Sequence, residues 1–150
     1  MPRAQPQDKP SQETTAAWAR LVRVQQGVLA AVERDLKKAG HPPLAWYDAL
    51  LELARAPQGA MRPRDLEKQM LLPQYSTSRL VDRLVEAGLV ERKICPVDGR
   101  GRDGDELAAG RALQKKMWET YARAIERHVG AKLSSKEAAS LCDLLSRLAT

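Results

Sequence analysis

Apolar residues recur at intervals of three and four along most of the chain, the spacing typical of amphipathic helices. The first such stretch covers residues 14–38 and predicts a long helix. Gly40 and the Pro42-Pro43 pair end it, because both residue types disfavour a continuing helix. Residues 1–13 are rich in Pro, Gln and charge, which predicts a flexible tail.

Three shorter helices are predicted in the middle of the chain. Apolar spacing indicates one helix over residues 44–54, and Pro63 occupies the first turn of the next. The pair Leu72-Pro73 is predicted to start a fourth helix, because proline is tolerated in a first turn but not in an interior. Gly88 is the predicted stop of this fourth helix.

The last part of the chain predicts a short strand and a loop, followed by two more helices. Residues 89–94 form a strand-like run, and residues 98–105 form a loop rich in Gly, Arg and Asp. A long helix then covers residues 107–129. Ser134 and Glu137 have the spacing of a capping box, which predicts the start of the final helix.

Composition narrows the class of protein. A chain of 150 residues is enough for one compact domain, and its formal charge of +6 favours a negatively charged partner. No stretch approaches the ~20 apolar residues of a membrane span, and the N-terminus lacks a signal-peptide core, so we expect a cytoplasmic protein that is not in a membrane. Two distant histidines and two cysteines predict no metal site, no cofactor and no catalytic centre.

The long outer helices are more apolar than a small central lobe requires. Their apolar faces pack either on that lobe or on a second copy of the chain, since a long isolated helix needs tertiary partners. We favour the second copy, and therefore expect a homodimer.

The segment from Met61 to Arg102 carries the candidate chemistry. A short helix, a turn and a longer helix predict a helix-turn-helix, and one face of the longer helix is apolar. The other face begins with polar groups that suit base edges in a major groove. These candidate DNA-contacting residues are Gln74, Tyr75, Ser76, Ser78 and Arg79. The alternative is an ordinary solvated helix face.

This segment resembles the MarR family of transcriptional regulators. Residues 79–84 and 86–92 read Arg-Leu-Val-Asp-Arg-Leu and Glu-Ala-Gly-Leu-Val-Glu-Arg, which is similar to the family signature. Residues 98–100 resemble the tip of the family's wing, Gly110-Arg111 matches a pair in the helix after the wing, and residues 134–148 resemble its closing dimerisation helix.

The resemblance implies a mainly helical winged helix-turn-helix fold with a short β wing. Residues 14–40 and 105–150 would form the N- and C-terminal dimerisation helices, and residues 43–104 the DNA-binding lobe. It also implies a sequence-specific regulator of double-stranded DNA, more often a repressor than an activator. Arg100 on the wing would enter the minor groove, with Asp98 bracing it.

A dimer would present two recognition helices about one turn of DNA apart, so we expect a pseudo-palindromic operator. Further basic residues around the helix-turn-helix would bind phosphates, which position the protein without reading sequence. They are Arg62, Arg64, Lys68, Lys93 and Arg102. For Asp82 and Arg83, ion pairs are an alternative to base contacts.

The resemblance also implies control by a small phenolic or carboxylated aromatic ligand, bound between the dimerisation helices and the DNA-binding lobe. An aromatic wall with an acid or an imidazole is typical of such pockets. The candidate lining residues are Trp18, His41, Trp46, Tyr47, Asp48 and Trp118. The alternative is that they are core and interface residues. A redox-sensing Cys95, flanked by basic residues, is another alternative.

The return strand of the wing departs from the family pattern. Residues 101–106 contain two glycines and three acids where β-branched residues are usual. This predicts a short or poorly ordered wing, and places Asp103 and Asp105 unfavourably near phosphates. It also supports an alternative function, a winged-helix protein-interaction module that has lost DNA binding.

Overall fold

The structure, a computed structural model, describes residues 8–57, 59–94, 101–102 and 108–149. These residues form six α-helices and one two-stranded antiparallel hairpin, which agrees with the predicted mainly helical architecture and its short β wing. None of the described helices is both long and apolar enough to cross a membrane. In chain order the elements are α1 (Gln12–Lys38), α2 (Leu44–Arg55), α3 (Pro63–Gln69), α4 (Thr77–Glu86), β1 (Lys93–Ile94), β2 (Gly101–Arg102), α5 (Ala108–His128) and α6 (Ser135–Ser146).

Several predicted helix boundaries are confirmed. Gly40 follows α1 with φ +81° and Gly88 follows α4 with φ +74°, and side chains other than glycine rarely adopt that conformation. The capping box at α6 is present, since the Ser134 hydroxyl accepts from the Glu137 amide while the Glu137 carboxylate accepts from the Ser134 amide. That backbone hydrogen bond lowers the pKa of Glu137.

One predicted boundary is wrong. The fourth helix begins at Thr77 instead of Leu72-Pro73, and residues 72–76 belong to the turn before it. The physical reason is that Ser76 acts as the N-cap, its hydroxyl accepting from the Arg79 amide at 3.2 Å. A proline can open a helix, but the tertiary structure selects a later residue as the helix start.

The start of α2 depends on a residue of α1. Pro43 precedes α2 and offers no side-chain acceptor to the unpaired amides of the first turn. The Glu33 carboxylate accepts instead from the Leu44 amide at 3.1 Å. This hydrogen bond joins α1 to α2 close to the connection between them.

A first apolar core, the lobe core, lies between α2, α3 and α4. Leu50, Leu53, Leu66, Val81 and Leu84 are all fully buried in it. Leu89 and Val90, just after α4, complete it. The lobe core holds the helix-turn-helix together and orients α4.

A second apolar core, the stalk core, lies between α1, α2 and α5. It contains Val32 and Leu36 of α1, Leu44 and Tyr47 of α2, and Met117 of α5. Helix α2 therefore contributes to both cores. The C-terminal half of α1 packs within its own chain, which is the first of the two alternatives for the outer helices.

A band of apolar side chains remains exposed on α1, α5 and α6, and we call it the outer apolar face. None of the twelve residues of α6 is buried, and Leu148 just beyond its end is 63 % exposed. The face matches the second alternative, packing on another copy of the chain. Its members are Trp18, Leu21, Val24, Ile125, Leu141, Leu144, Leu145 and Leu148.

We expect the buried hydroxyl of Thr77 to lower the stability of the lobe core. Its hydroxyl is buried and has no hydrogen-bond partner among the described residues. We expect Thr77→Val, which removes the hydroxyl and keeps the shape, to raise the free energy of unfolding by about 1 kcal/mol. Thr77→Ser keeps the hydroxyl, deletes the methyl group and should lower it by about 1 kcal/mol. Urea unfolding measures both, and a loss of stability in Thr77→Val would contradict the assignment.

Candidate nucleic-acid interface

Helix α4 has one buried face and one exposed face. Thr77, Leu80, Val81 and Leu84 point into the lobe core. The opposite face is polar and open to solvent. Its residues are Ser78, Arg79, Asp82 and Arg83. Helix α4 is therefore packed against the lobe core on one side and offers polar side chains to solvent on the other.

Three of the predicted DNA-contacting residues lie at the start of α4, in different environments. The Tyr75 side chain is fully exposed. The Gln74 side-chain amide donates to the Pro73 carbonyl at 3.2 Å, which holds it near the turn. Ser76 uses its hydroxyl oxygen as the N-cap acceptor of α4. The turn therefore presents an exposed phenol flanked by two side chains that also support the backbone.

Ion pairing on α4 distinguishes Asp82 from Arg83. The Asp82 carboxylate lies 2.6 Å from the Arg92 guanidinium, and both side chains are about half exposed. The ion-pair alternative for Asp82 is thus observed, although an exposed pair contributes little stability. Arg83 makes no ion pair with any residue that the structure describes. Its guanidinium adds to the positive charge of Arg79 on the same face.

In the part of the wing that the structure describes, two residues of β1 pair with two residues of β2. Lys93 on β1 pairs with Arg102 on β2, so the hairpin register brings together two of the predicted phosphate-binding residues. Arg100, Asp98 and Cys95 lie outside the described residues.

The remaining predicted phosphate-binding residues lie on or next to α3. Arg62 is the N-cap residue of α3 and is half-buried, whereas Arg64 and Lys68 are exposed on the helix. Arg62 and Lys68 also line an open cavity of about 800 Å³ together with two carboxylates, Glu52 and Asp65. The positive charge here is therefore partly offset by neighbouring acids.

An aromatic cluster lies where α2 meets α5. Tyr47 and Trp118 stack with ring centroids 6.1 Å apart, and Tyr121 contacts both rings edge-on at 5.2 and 5.7 Å. Burial raises the pKa of Tyr47 and of Tyr121, so both phenols are neutral at ordinary pH. Sequence reasoning missed Tyr121, although its spacing of three residues from Trp118 places both rings on one face of α5.

The other predicted ligand-pocket residues are dispersed. His41 contacts α5 through its Nε2 atom, which lies 3.1 Å from the hydroxyl of Thr120. Trp18 is 67 % exposed on α1 and belongs to the outer apolar face. Trp46 lines a different cavity, of about 220 Å³, together with Gln74 and other residues at the start of α4.

Asp48 is the buried acid among these candidates. Its carboxylate accepts backbone hydrogen bonds from the turn between α3 and α4. The structure thus joins Tyr47 and Trp118 in one cluster, and places Trp18 and Trp46 elsewhere. Among the described residues, no three His, Cys, Asp or Glu side chains form a group that could hold a metal ion.

Comparison with known proteins gives one consistent result. A sequence model of the MarR family matches residues 42–101, which span α2 to β2. No curated protein matches the chain.

Similar solved structures extend the likeness to nearly the whole chain. A MarR family transcriptional regulator from Streptomyces coelicolor, solved in complex with DNA, has 23 % identity and a TM-score of 0.82, covering 95 % of this chain and 91 % of that one. A second regulator of the family from the same organism has 25 % identity and a TM-score of 0.74, with coverage of 92 % and 94 %. A mutant MarR from E. coli, complexed with operator DNA, has 22 % identity and a TM-score of 0.76, with coverage of 95 % and 100 %.

Proposed function

We propose that the chain is a member of the MarR family of winged helix-turn-helix transcriptional regulators, and that it acts as a homodimeric repressor released from its operator by a small ligand. Proteins of this family bind DNA and are not enzymes. The observation that carries the proposal is the exposed polar face of α4, headed by the fully exposed Tyr75. The proposed site of action is the cytoplasm.

The exposed face of α4 is the proposed reading surface. Arg79 is suited to guanine and Gln74 to adenine. Ser78 and Arg79 lie in the first turn of α4, while Gln74, Tyr75 and the N-cap residue Ser76 lie in the turn directly before it. The structures from S. coelicolor and E. coli that share this fold were solved with DNA, which supports the same use of the helix here. Basic residues then bind the phosphates on either side. They are Arg62, Lys93, Arg102 and, in the minor groove, Arg100.

The outer apolar face supports the homodimer. Helix α6 buries none of its residues within the chain, and a short helix of this kind is not stable in water without a packing partner. Exposed apolar bands of this extent mark protein interfaces. A second copy, related by a two-fold axis, would cover the face with its own α1, α5 and α6. Two α4 helices would then face a pseudo-palindromic operator.

The aromatic cluster is the proposed effector site. Trp118 is 47 % exposed, so a planar ligand can reach the rings that Tyr47 and Tyr121 complete. The class of ligand proposed is a phenolic or carboxylated aromatic. The cluster joins α5 to α2, and α2 also contributes to the lobe core, so a ligand that separates the rings shifts the lobe relative to the stalk.

Titration against DNA tests the reading surface. We expect tight, salt-dependent binding to the duplex upstream of the protein's own gene, with a preference of about 10³-fold or more over an unrelated duplex. Arg79→Ala should cost about 1–3 kcal/mol and reduce this preference, because it removes a base contact. Fluorescence anisotropy at several salt concentrations is the measurement.

Arg34→Ala is the matched control for charge, because Arg34 is exposed on α1 and away from the reading surface. It should leave the preference unchanged. If the unaltered protein binds neither duplex at low salt, the proposal fails, and a winged-helix module that recruits a protein partner takes its place.

Sedimentation tests the dimer. We expect a mass of two chains in solution, and Leu144→Asp should convert it to a monomer, because a carboxylate would be buried in an apolar interface. Ala139→Asp introduces the same group at another exposed position of α6, on the side opposite the leucines, and should leave the dimer intact. A monomeric parent protein, or equal effects of the two substitutions, would refute the assigned interface.

Release of DNA tests the effector site. The probe is 2-hydroxybenzoate, added to the protein bound to fluorescent upstream duplex. We expect it to release the duplex, and Trp118→Leu to require about tenfold more probe, because the stacking surface is lost. Trp18→Leu, outside the cluster but on the outer apolar face, should respond like the parent at concentrations where sedimentation shows both proteins to have the same oligomeric state. Equal responses of both variants would place the effector elsewhere, and no response to a panel of phenols and benzoates would reject this ligand class.

A further inference from the structure

Asp48, in the middle of α2, is the only charged side chain that is buried among the residues that the structure describes, with 5 % of its surface exposed. A buried carboxylate is strongly unfavourable unless its oxygens receive hydrogen bonds. One oxygen accepts from the Leu71 amide at 3.0 Å, and the other accepts from the Leu72 amide at 2.8 Å. Both oxygens are therefore used by one short piece of backbone.

That piece of backbone is the turn of the helix-turn-helix. Residues 70–76 connect α3 to α4, and Pro73, directly after the two donors, has no amide hydrogen to contribute. The Leu71 side chain is 73 % exposed, whereas Met70 before it is buried in the lobe core and Leu72 after it packs against the stalk core. Apolar packing therefore anchors the two sides of this point, and the two charge-assisted hydrogen bonds to α2 fix the backbone between them.

The position of this turn decides where the reading surface begins. Gln74, Tyr75 and Ser76 follow the two held amides within four residues, and Ser76 caps α4. Groups that contact a ligand need supporting hydrogen bonds to keep them within about 0.5 Å of their productive positions. A shift of the turn would displace the first turn of α4 relative to the base edges.

We propose that Asp48 is a positioning residue for DNA recognition: its carboxylate holds the Leu71 and Leu72 amides, and so sets the start of α4 without contacting DNA. The inference rests on the proposed DNA-binding function and adds a determinant of specificity within α2. It also revises the interpretation of Asp48 as a ligand-pocket acid, because both carboxylate oxygens already serve the turn.

Asp48→Asn is the informative substitution. Asparagine keeps the size of the side chain and one oxygen, but its NH₂ group cannot accept a hydrogen bond from a backbone amide. We expect affinity for the upstream duplex to fall about tenfold, the equivalent of one lost charge-assisted hydrogen bond. Affinity for the unrelated duplex should stay the same, since it depends on phosphate contacts.

Leu53→Ala is the matched control for stability. Leu53 lies on the same helix, is fully buried in the lobe core, and makes none of the hydrogen bonds to the turn. Both variants are compared by anisotropy at a temperature where circular dichroism shows each to be folded. Leu53→Ala should keep the ratio of the two affinities, whereas Asp48→Asn should lower it. If Asp48→Asn keeps the ratio, or both variants lower it equally, the positioning role is refuted.

Hydrogen exchange of the unaltered protein provides a second test that needs no variant. The Leu71 and Leu72 amides should exchange far more slowly than the amides of an unstructured chain, because each is bonded to a buried acceptor. Fast exchange of both would overturn the proposal even if Asp48→Asn failed to fold. If the proposed DNA-binding function itself is wrong, the unaltered protein will show no preference between the two duplexes. That result differs from a loss of preference in Asp48→Asn alone.

Discussion

Helix α2 has to be buried on two sides, and the arrangement of the rest of the chain follows from this constraint. Its first turns place Leu44 and Tyr47 in the stalk core, while Leu50 and Leu53 lie in the lobe core. A helix with both faces packed cannot shift against one core without disturbing the other, because protein interiors are close-packed. The DNA-binding lobe and the stalk are therefore mechanically joined through twelve residues.

Polar groups at the start and in the middle of α2 add direction to this packing. Glu33 caps its first turn from α1, and Asp48 holds the turn before α4. Apolar burial is non-directional, whereas these hydrogen bonds require particular atoms at particular distances. The orientation of the reading surface thus depends on a few buried acceptors as much as on the leucines around them. Tyr47 of the aromatic cluster, the proposed effector site, directly precedes Asp48 on the same helix.

The outer apolar face consists of apolar side chains that a single chain leaves exposed. The C-terminal half of α1 and the middle of α5 are buried against each other and α2, but α6 has no buried residue. The proposed dimer interface and the proposed reading surface therefore lie on different parts of the chain. The proposed effector site, the aromatic cluster, lies between them where α2 meets α5.

The sequence by itself determined the order of the helices, the helix-turn-helix and the resemblance to the MarR family, because apolar periodicity, glycine stops and the capping box are local signals. It also determined which face of α4 is polar.

Only the tertiary structure decided where α4 begins, because Leu72-Pro73 has a local preference for a helix start that the turn does not follow. It also separated Trp46 from Tyr47, neighbours on α2 that point to different sides, and it added Tyr121 to the aromatic cluster. The role of Asp48 was inaccessible to sequence reasoning for the same physical reason. Its hydrogen-bond donors lie more than twenty residues away along the chain, and local patterns carry no information on such contacts.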